Sequence, residues 1–468
     1  MKYFFICLFL ISFSQIFSQA NLPDNYILPL PEGLNSSKVD LDNIKKAIDR
    51  LHTFSEYIYN PVKISRTDFL SYAPKNLTDA GNNNRWGAGS WGRGLFSKYV
   101  DRFLIDGTEN SAYNAFYREH PDTNLKNHFW GTHPIVSYCA RTILAYLNLY
   151  YCLDEVIEKN FCRDRILAGT KYLITQQQPN GGYAQWHWRK AKNIPNLDDS
   201  VRLNNINSYA TANAIFALEN VYEYIRNNNS NSSLLMEKIY IAIKNAGEFL
   251  YTKDNSKAHR NYVAFSIWGL INVYKIVKDE KFLLSVLEKY KIEIENYQDS
   301  SGAFYKKEPE YLDYHDAHSP YMGIILTSLI DLYNELPNTY YHDIKERLRN
   351  SIIKGINHFL LPNIVHENFS NQKIRLAEDG GIYPYSEQKE YTKVKGRALQ
   401  LSQALIYALK SDDLFSEKED ISRLRDFLNA VMKYQVNETI DYNKVLHINS
   451  DIYFESISLY LLLQTIHE

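Results

Sequence analysis

Cysteine is scarce in this chain, with four residues among 468. Cys7 lies in an apolar run near the start, and Cys139, Cys152 and Cys162 have no spacing that is typical of a metal site. Because three is an odd number, at least one of these later thiols is expected to be free. A disulfide between Cys152 and Cys162 and a set of three buried thiols are both compatible with the sequence.

Net charge is almost absent as well, because 52 Lys and Arg residues are balanced by 54 Asp and Glu residues, for a formal net charge of −2. A nucleic-acid-binding surface needs concentrated positive charge, so we expect no nucleic-acid partner. After the first 20 residues the sequence also lacks the run of about 20 apolar residues that a membrane-spanning helix needs. We therefore expect no membrane span.

The start of the chain is the one strongly apolar stretch. Lys2 precedes an apolar run from Tyr3 to Phe17, and small and polar residues follow as far as Ala20. This order is typical of a secretory signal peptide that is removed from the mature protein. We expect residues 1–20 to be this peptide and residues 21–468 to form a single domain, because no Pro-, Gly- or Ser-rich linker divides them. The mature protein is expected to be a monomer, secreted or periplasmic.

Period-two strand patterns are missing too, and apolar residues instead recur at helical spacing. Short polar links alternate with long links that contain Gly and aromatic residues, and short links join antiparallel neighbours. This rhythm predicts an all-α fold, an (α/α)6 toroid of helical hairpins, with the long loops on one rim and the last helix beside the first. The predicted helices are 41–58, 129–153, 163–176, 208–225, 234–251, 259–277, 281–297, 321–336, 341–360, 391–409, 417–435 and 452–467.

Three of the long links have related sequences, QQQPNGGYAQW, YQDSSGAFYKK and AEDGGIYPYSE. Each follows a predicted outer helix, where glycine allows the chain to turn sharply. The glycines either anchor the outer helices or line a cleft. For the aromatic and charged residues beyond them we favour contact with a ligand.

A family resemblance is found in the first of these links. The residues from Gln178 to Gln185, followed by Asn204 and Asn205, resemble the Q-x-x-x-G-G-W-P-Q and downstream N-D segment of α/α-type pectate lyases. The stretch is also similar to the glutamine-to-aromatic repeat of α/α toroids more broadly, including polysaccharide lyases and terpene cyclases. This resemblance implies the toroid fold and a carbohydrate-active enzyme.

The long links and the non-helical stretch near residue 90 are rich in side chains that suit an acidic sugar. Tryptophan faces stack on sugar rings, and arginine binds a carboxylate through two hydrogen bonds. The alternative for the Trp and Arg residues is a stack on the toroid surface. Arg141, His259 with Arg260, and Arg397 are expected to add positive charge near inner-helix starts, and Trp268 is expected in the core. The predicted substrate-binding residues are Arg85, Trp86, Trp91, Arg93, Trp186, His187, Trp188, Arg189, Arg202, Asn204, Asn205, Glu378 and Tyr383.

A second group combines a phenol, two imidazoles and a carboxylate just before a predicted inner helix. Histidine suits acid–base catalysis near neutral pH. A metal site and an Asp–His pair that caps the helix are the alternatives. The predicted catalytic residues are His315, His318, Tyr209, Tyr314, Asp316 and Asp379.

Taken together, these residue types favour β-elimination of a uronate-containing, pectate-like glycan by a polysaccharide lyase. Arg202 with Asn205 would neutralise the uronate carboxylate, His315 or His318 would remove the C5 proton, and Tyr209 or Tyr314 would protonate the leaving oxygen.

Two other functions remain open. A glycoside hydrolase on the same toroid would use two carboxylates among Asp316, Glu378 and Asp379. A toroid that only binds glycans would need the aromatic residues and no catalytic group. In each case the expected partner is an oligo- or polysaccharide. We expect no cofactor, and a divalent cation such as calcium is compatible with the sequence but is not indicated by it.

Overall fold

The computed structural model describes residues 136–153, 155–184, 206–228, 233–255, 258–300, 302–304, 306–307, 312–313, 319–337, 340–360, 375–376, 382–383, 398–411, 413–415 and 424. Nine helices lie in these ranges: α1 (Val136–Cys152), α2 (Val156–Gln176), α3 (Ser208–Asn227), α4 (Ser233–Thr252), α5 (Arg260–Val277), α6 (Glu280–Lys289), α7 (Ser319–Glu335), α8 (His342–Leu360) and α9 (Ala398–Lys410). None of the described helices is long and apolar enough to cross a membrane.

The helices alternate between an inner and an outer layer. Helix α1 packs against α3, α3 against α5, α5 against α7, and α7 against α9, so these five form the inner layer. Helices α2, α4, α6 and α8 each pack against the inner helix that precedes them. This is the arrangement of an α/α toroid, so the predicted all-α class and the predicted inner and outer positions are confirmed. The segments predicted to close the ring, 41–58 and 452–467, lie outside the described residues.

Burial explains which helices are inner. In α5, Tyr262 is the one exposed residue between Arg260 and Val273, and the apolar residues of this helix are spread around its circumference. A helix that is apolar on all sides must be covered on all sides. Helix α6 instead buries Phe282, Val286 and their neighbours along one stripe. The two-residue link between α5 and α6 makes them antiparallel, so successive inner helices point the same way.

Helix boundaries differ from the prediction in two places. Helix α2 begins at Val156 rather than at residue 163, and its first turn exposes 69% of Val156 and 82% of Ile157. This turn lacks apolar periodicity because it packs against little. The helix predicted at 281–297 is divided: α6 ends at Lys289, and a π-helical turn (Tyr290–Ile294) and a 3-10 turn (Glu295–Tyr297) follow.

The interior of the protein bears on two expectations. Trp268 is 6% exposed, so its predicted core position is confirmed. Cys139 and Cys162 are buried, whereas the side chain of Cys152 lies outside the described residues, so the pairing of these thiols stays a prediction. Cys162 faces the core from α2 and behaves as a small apolar side chain there.

Two short antiparallel hairpins occur in the long links. Strand β1 (Lys306–Lys307) pairs with β2 (Leu312–Asp313), and β3 (Arg375–Leu376) pairs with β4 (Ile382–Tyr383). Each strand has two residues. A strand of that length cannot show a period-two pattern, which is why the sequence predicted no strand.

The first glycine-containing turn anchors one outer helix to the next. Gln177 forms an antiparallel bridge with Tyr183, and its Nε2 donates to the carbonyl oxygens of Gly181 (2.9 Å) and Ala242 in α4 (2.7 Å). Gly181 has φ +85°, and a Cβ there would lie 2.1 Å from the carbonyl oxygen of Asn245. Glycine is therefore required by the close packing of the turn on α4.

The second turn repeats this geometry. Gln298 forms a bridge with Phe304, and its Nε2 donates to the carbonyl oxygens of Gly302 (3.0 Å) and Ser351 in α8 (2.9 Å). A Cβ on Gly302, at φ +97°, would lie 2.1 Å from the carbonyl oxygen of Lys354. Of the two roles left open for these glycines, the structure supports the anchoring of outer helices.

We expect Gln298→Leu to lower the free energy of unfolding by about 1–3 kcal/mol, because partly buried carbonyl groups would lose their donor. The Ser351 hydroxyl, which donates to Gln298 Oε1 at 2.7 Å, would lose its acceptor as well. Leu376 stands at the corresponding position of the third link, where its backbone pairs with Ile382. Urea unfolding measures the loss.

The control is Gln176→Leu, because among the described residues the Gln176 amide donates only to the neighbouring Thr175 hydroxyl, at 3.3 Å. Its effect should be clearly smaller than that of Gln298→Leu. Equal stability of the Gln298→Leu variant and the wild type would contradict the anchoring role.

Candidate functional site

The structure describes the side chain of one predicted site residue, Tyr209, and places the backbone of Tyr383 in β4. The other predicted site residues lie outside the described residues. They are Arg85, Trp86, Trp91, Arg93, Trp186, His187, Trp188, Arg189, Arg202, Asn204, Asn205, Tyr314, His315, Asp316, His318, Glu378 and Asp379. Arg397 also lies outside them. The site is therefore built from the inner-helix residues around Tyr209.

The rim near Tyr209 is held by the two ends of the first long link. Ala184 forms an antiparallel bridge with Ile206, which brings the end of the glycine-containing turn beside the start of α3. The Asn207 side chain then caps α3 by accepting a hydrogen bond from the Ala210 amide at 2.8 Å. Tyr209, in the first turn of α3, is fixed at the rim from which the long links enter the inner helices.

A buried arginine connects Tyr209 to the neighbouring inner helix. Arg141 Nε donates to Asn213 Oδ1 at 2.9 Å, and the Arg141 guanidinium lies 5.1 Å from the centre of the Tyr209 ring. Asn213 Nδ2 donates to the Tyr209 carbonyl oxygen at 2.8 Å. These three residues form what we call the rim network, in which Arg141 lies over the Tyr209 ring and Asn213 bonds the Tyr209 backbone.

The charge in the rim network is enclosed by protein. Arg141 is 4% exposed, and burial lowers the pKa of its guanidinium, an effect that Tyr209 and Tyr138 oppose. Arginine remains cationic in proteins even so. The predicted positive charge of Arg141 is therefore present near the rim. Its small exposure suits the orientation of Tyr209 and Asn213 better than direct contact with a ligand.

Aromatic side chains of α5 complete this wall of the site. The Phe265 ring meets Tyr209 edge-on, with centroids 4.8 Å apart, and Tyr262 is 37% exposed beside them. Burial raises the pKa of the Tyr262 phenol, and the nearby Tyr209 raises it further. Tyr262 is therefore a neutral phenol at physiological pH. Tyr209 and Tyr262 place two hydroxyl groups beside an apolar ring, which suits a sugar.

Arg260 does not contribute to the site, contrary to expectation. It is 1% exposed, and its guanidinium donates to the carbonyl oxygens of Glu293 (2.7 Å) and Ala258 (2.6 Å). The same group lies 4.5 Å from the centre of the Tyr297 ring. Arg260 thus ties the start of α5 to the chain that follows α6.

A second aromatic pair lies deeper in the ring of inner helices. Phe216 follows Asn213 on the same face of α3, and its ring centroid is 4.4 Å from that of Trp268 in α5. Both rings are largely buried, with 9% and 6% exposure. This pair separates the rim network from the polar residues farther along α3 and α5.

Sequence patterns did not indicate Asn213, Tyr262 or Phe265 as site residues, because each lies inside a helix. Helical spacing could have indicated Asn213, because it follows Tyr209 by one turn and therefore lies on the same face of α3. Among the described residues, no three His, Cys, Asp or Glu side chains form a group that could hold a metal ion.

No protein-family model matches the chain, and no curated protein matches it. Solved structures with a similar arrangement include a variant of an unsaturated glucuronyl hydrolase from Streptococcus agalactiae, which is 12% identical with a TM-score of 0.45 over 92% of this chain and 91% of its own. An α-mannanase of glycoside hydrolase family 76 from Bacteroides thetaiotaomicron is 12% identical with a TM-score of 0.43, over 71% and 86%. A polysaccharide lyase is 10% identical with a TM-score of 0.43, over 75% and 94%. At such identities, these similarities assign no substrate or reaction to this chain.

Proposed function

We propose that the protein is a secreted polysaccharide lyase that cleaves a uronate-containing, pectate-like glycan by β-elimination at the rim of the toroid. The observation that supports this is the rim network, in which Arg141 bonds Asn213 and lies over the half-buried ring of Tyr209, and Asn213 bonds the Tyr209 backbone. A fixed phenol beside an apolar ring is suited to proton transfer with a bound sugar.

In β-elimination, a base removes the proton from C5 of the uronate, a double bond forms between C4 and C5, and the C4–O bond breaks. The leaving oxygen takes a proton, and no water is consumed. Tyr209 donates that proton in this scheme, and Arg141 and Asn213 are positioning residues. His315 or His318 as the base, and Arg202 with Asn205 as the carboxylate-binding pair, stay predictions from the sequence.

The described part of the rim favours elimination over hydrolysis. Its polar groups are phenols, an amide and a guanidinium, whereas a glycoside hydrolase needs two carboxyl groups about 5–10 Å apart at the scissile bond. The carboxylates Glu219 of α3 and Asp331 of α7 lie farther along the inner helices, beyond the Phe216–Trp268 pair. The hydrolase candidates Asp316, Glu378 and Asp379 are tested by the same experiment as the lyase.

The experiment is to incubate the purified protein with polygalacturonate, and with a neutral galactan as the control polymer. We expect ultraviolet absorbance from the new C4–C5 double bond to rise together with new reducing ends, on the uronate polymer only. Reducing ends without this absorbance would overturn the proposal in favour of a hydrolase. Binding of the polymer without either product would overturn it in favour of a glycan-binding protein.

A further inference from the structure

Tyrosine recurs near the rim end of successive inner helices. It is the second residue of α3 (Tyr209) and the third residue of α1 (Tyr138), α5 (Tyr262) and α7 (Tyr321). Because α5 packs between α3 and α7, the last three of these helices lie side by side. Their tyrosines therefore come from neighbouring helices at the end where the long links enter.

Two side-chain contacts show how these helices are aligned along their axes. The Tyr209 ring of α3 meets Phe265 of α5 edge-on, with centroids 4.8 Å apart. Lys275 of α5 donates to Asp331 of α7 at 2.7 Å. Parallel helices rise equally per residue, and Phe265 and Tyr321 precede this pair by the same number of residues. Tyr209, Phe265 and Tyr321 therefore lie at nearly the same height on three adjacent helices.

Tyr262 lies closer to the rim than these residues. It precedes Phe265 by nearly one turn and so lies on the same face of α5. It is 37% exposed, although the residues on either side of it are buried. Tyr209 and Tyr321 are half-buried, whereas Tyr138 of α1 is 6% exposed. The accessible tyrosines thus extend from α3 across α5 to α7, and not towards α1.

The chemistry of these turns favours a polar, ring-shaped ligand. A tyrosine ring offers an apolar face to the C–H groups of a sugar and a hydroxyl group to its hydroxyls. Aliphatic residues would suit a lipid or an apolar peptide better, but those of the same turns, such as Val263 and Met322, are buried. The groups that these turns expose are phenols, which suits a glycan.

We propose that a glycan chain lies across the first turns of α3, α5 and α7, and that the Tyr262 ring stacks on the sugar next to the one at Tyr209. This inference rests on the proposed function, in which Tyr209 marks the reacting sugar. Packed helices lie about 8–10 Å apart, so the path is up to about 20 Å long. It is longer than a disaccharide, so several sugars of one chain bind at once. Tyr262 is a binding residue and takes no part in proton transfer.

The first test is calorimetric titration with digalacturonate and with hexagalacturonate. It uses the full chain with Tyr209→Phe, so that the hexamer is not consumed during the measurement. We expect the hexamer to bind at least about 10-fold more tightly than the dimer. Adding Tyr262→Ala should weaken hexamer binding about 10-fold, because the aromatic contact is lost. Adding Tyr262→Phe, which keeps the ring, should retain most of the affinity.

The matched control is Tyr340→Ala, which removes a tyrosine that is 85% exposed in the link between α7 and α8. This link lies at the end opposite the rim, so hexamer binding should not change. Thermal unfolding of each variant shows whether the fold is kept.

A second test uses the chain with Tyr209 intact. Tyr262→Ala should raise KM for polygalacturonate about 10-fold and change kcat by less than about 2-fold, since a stacking contact is made equally in the ground state and the transition state. Tyr209→Phe should do the opposite, because it removes the proton donor.

Four results would overturn the proposal. They are equal binding of dimer and hexamer, unchanged hexamer binding after Tyr262→Ala, an equal loss in Tyr262→Phe and Tyr262→Ala, and no saturable binding at about 10 mM hexamer. Lyase activity together with equal binding of dimer and hexamer would overturn this inference alone. Hexamer binding that depends on Tyr262, without any unsaturated product from the wild type, would overturn the proposed reaction alone.

Discussion

Tyr209→Phe is expected to lower the turnover of a uronate polymer by about 10²–10⁴-fold, the usual contribution of one acid–base group. The change removes the hydroxyl and keeps the ring that packs edge-on against Phe265 and beneath the Arg141 guanidinium. Substrate affinity should change less than turnover, because proton transfer to the leaving oxygen occurs only in the transition state. The measurement is kcat and KM from the absorbance of the unsaturated product.

The matched control is Tyr222→Phe on the same helix, where the partly buried Tyr222 packs against the core away from the rim network. It removes the same hydroxyl from α3 and should keep full activity. Thermal unfolding of both variants separates a loss of chemistry from a loss of structure. Full activity of Tyr209→Phe, with the fold intact, would exclude Tyr209 as the proton donor. A similar loss in both variants would show a general effect of α3.

The architecture was predictable because its signal is spread over the whole chain. Buried helices such as α5 repeat apolar residues at helical spacing, and the alternation of short and long links orders them into two layers. Helix α2 shows the limit of this signal. Its first turn packs against few residues, so no pattern of buried apolar residues marks the helix from Val156 onwards. The glycines at 181 and 302 were visible in the sequence, but their role depends on the carbonyl groups of a following outer helix.

Residues of the candidate site could be predicted only where they lie in loops or at helix starts. Tyr209 lies just after a capping asparagine, and the sequence indicated it for that reason. Arg141 and Asn213 are far apart in sequence and lie inside different helices, so their contact follows from the packing of α1 on α3. Arg260 was predicted at the rim because it is a cation at a helix start. In the structure it instead binds backbone carbonyl groups. Local sequence gives residue type, whereas tertiary packing decides which direction a side chain faces.

Glu219→Gln is expected to make the protein more stable at about pH 8 by about 3 kcal/mol, and to leave its stability at about pH 4.5 nearly unchanged. Burial raises the pKa of Glu219 from 4.5, its ordinary value, to about 7 in the folded protein. The folded state therefore binds this proton more tightly than the unfolded state. The resulting stabilisation is fully present below about pH 4.5 and is lost as the pH rises through about 7. Glutamine keeps the shape of the protonated carboxyl group and has no charge to bury.

The measurement is the free energy of unfolding by urea across this pH range, for wild type, Glu219→Gln and the exposed-site control Glu237→Gln. Burial also raises the pKa of Glu293 and of Glu335, so all three proteins should retain some loss of stability with rising pH. The informative quantity is the difference between Glu219→Gln and wild type, which should grow with pH and level off above about pH 8. A difference that is constant with pH would mean that Glu219 titrates alike in the folded and unfolded states. In that case the folded protein would not hold Glu219 as a buried, uncompensated carboxylate.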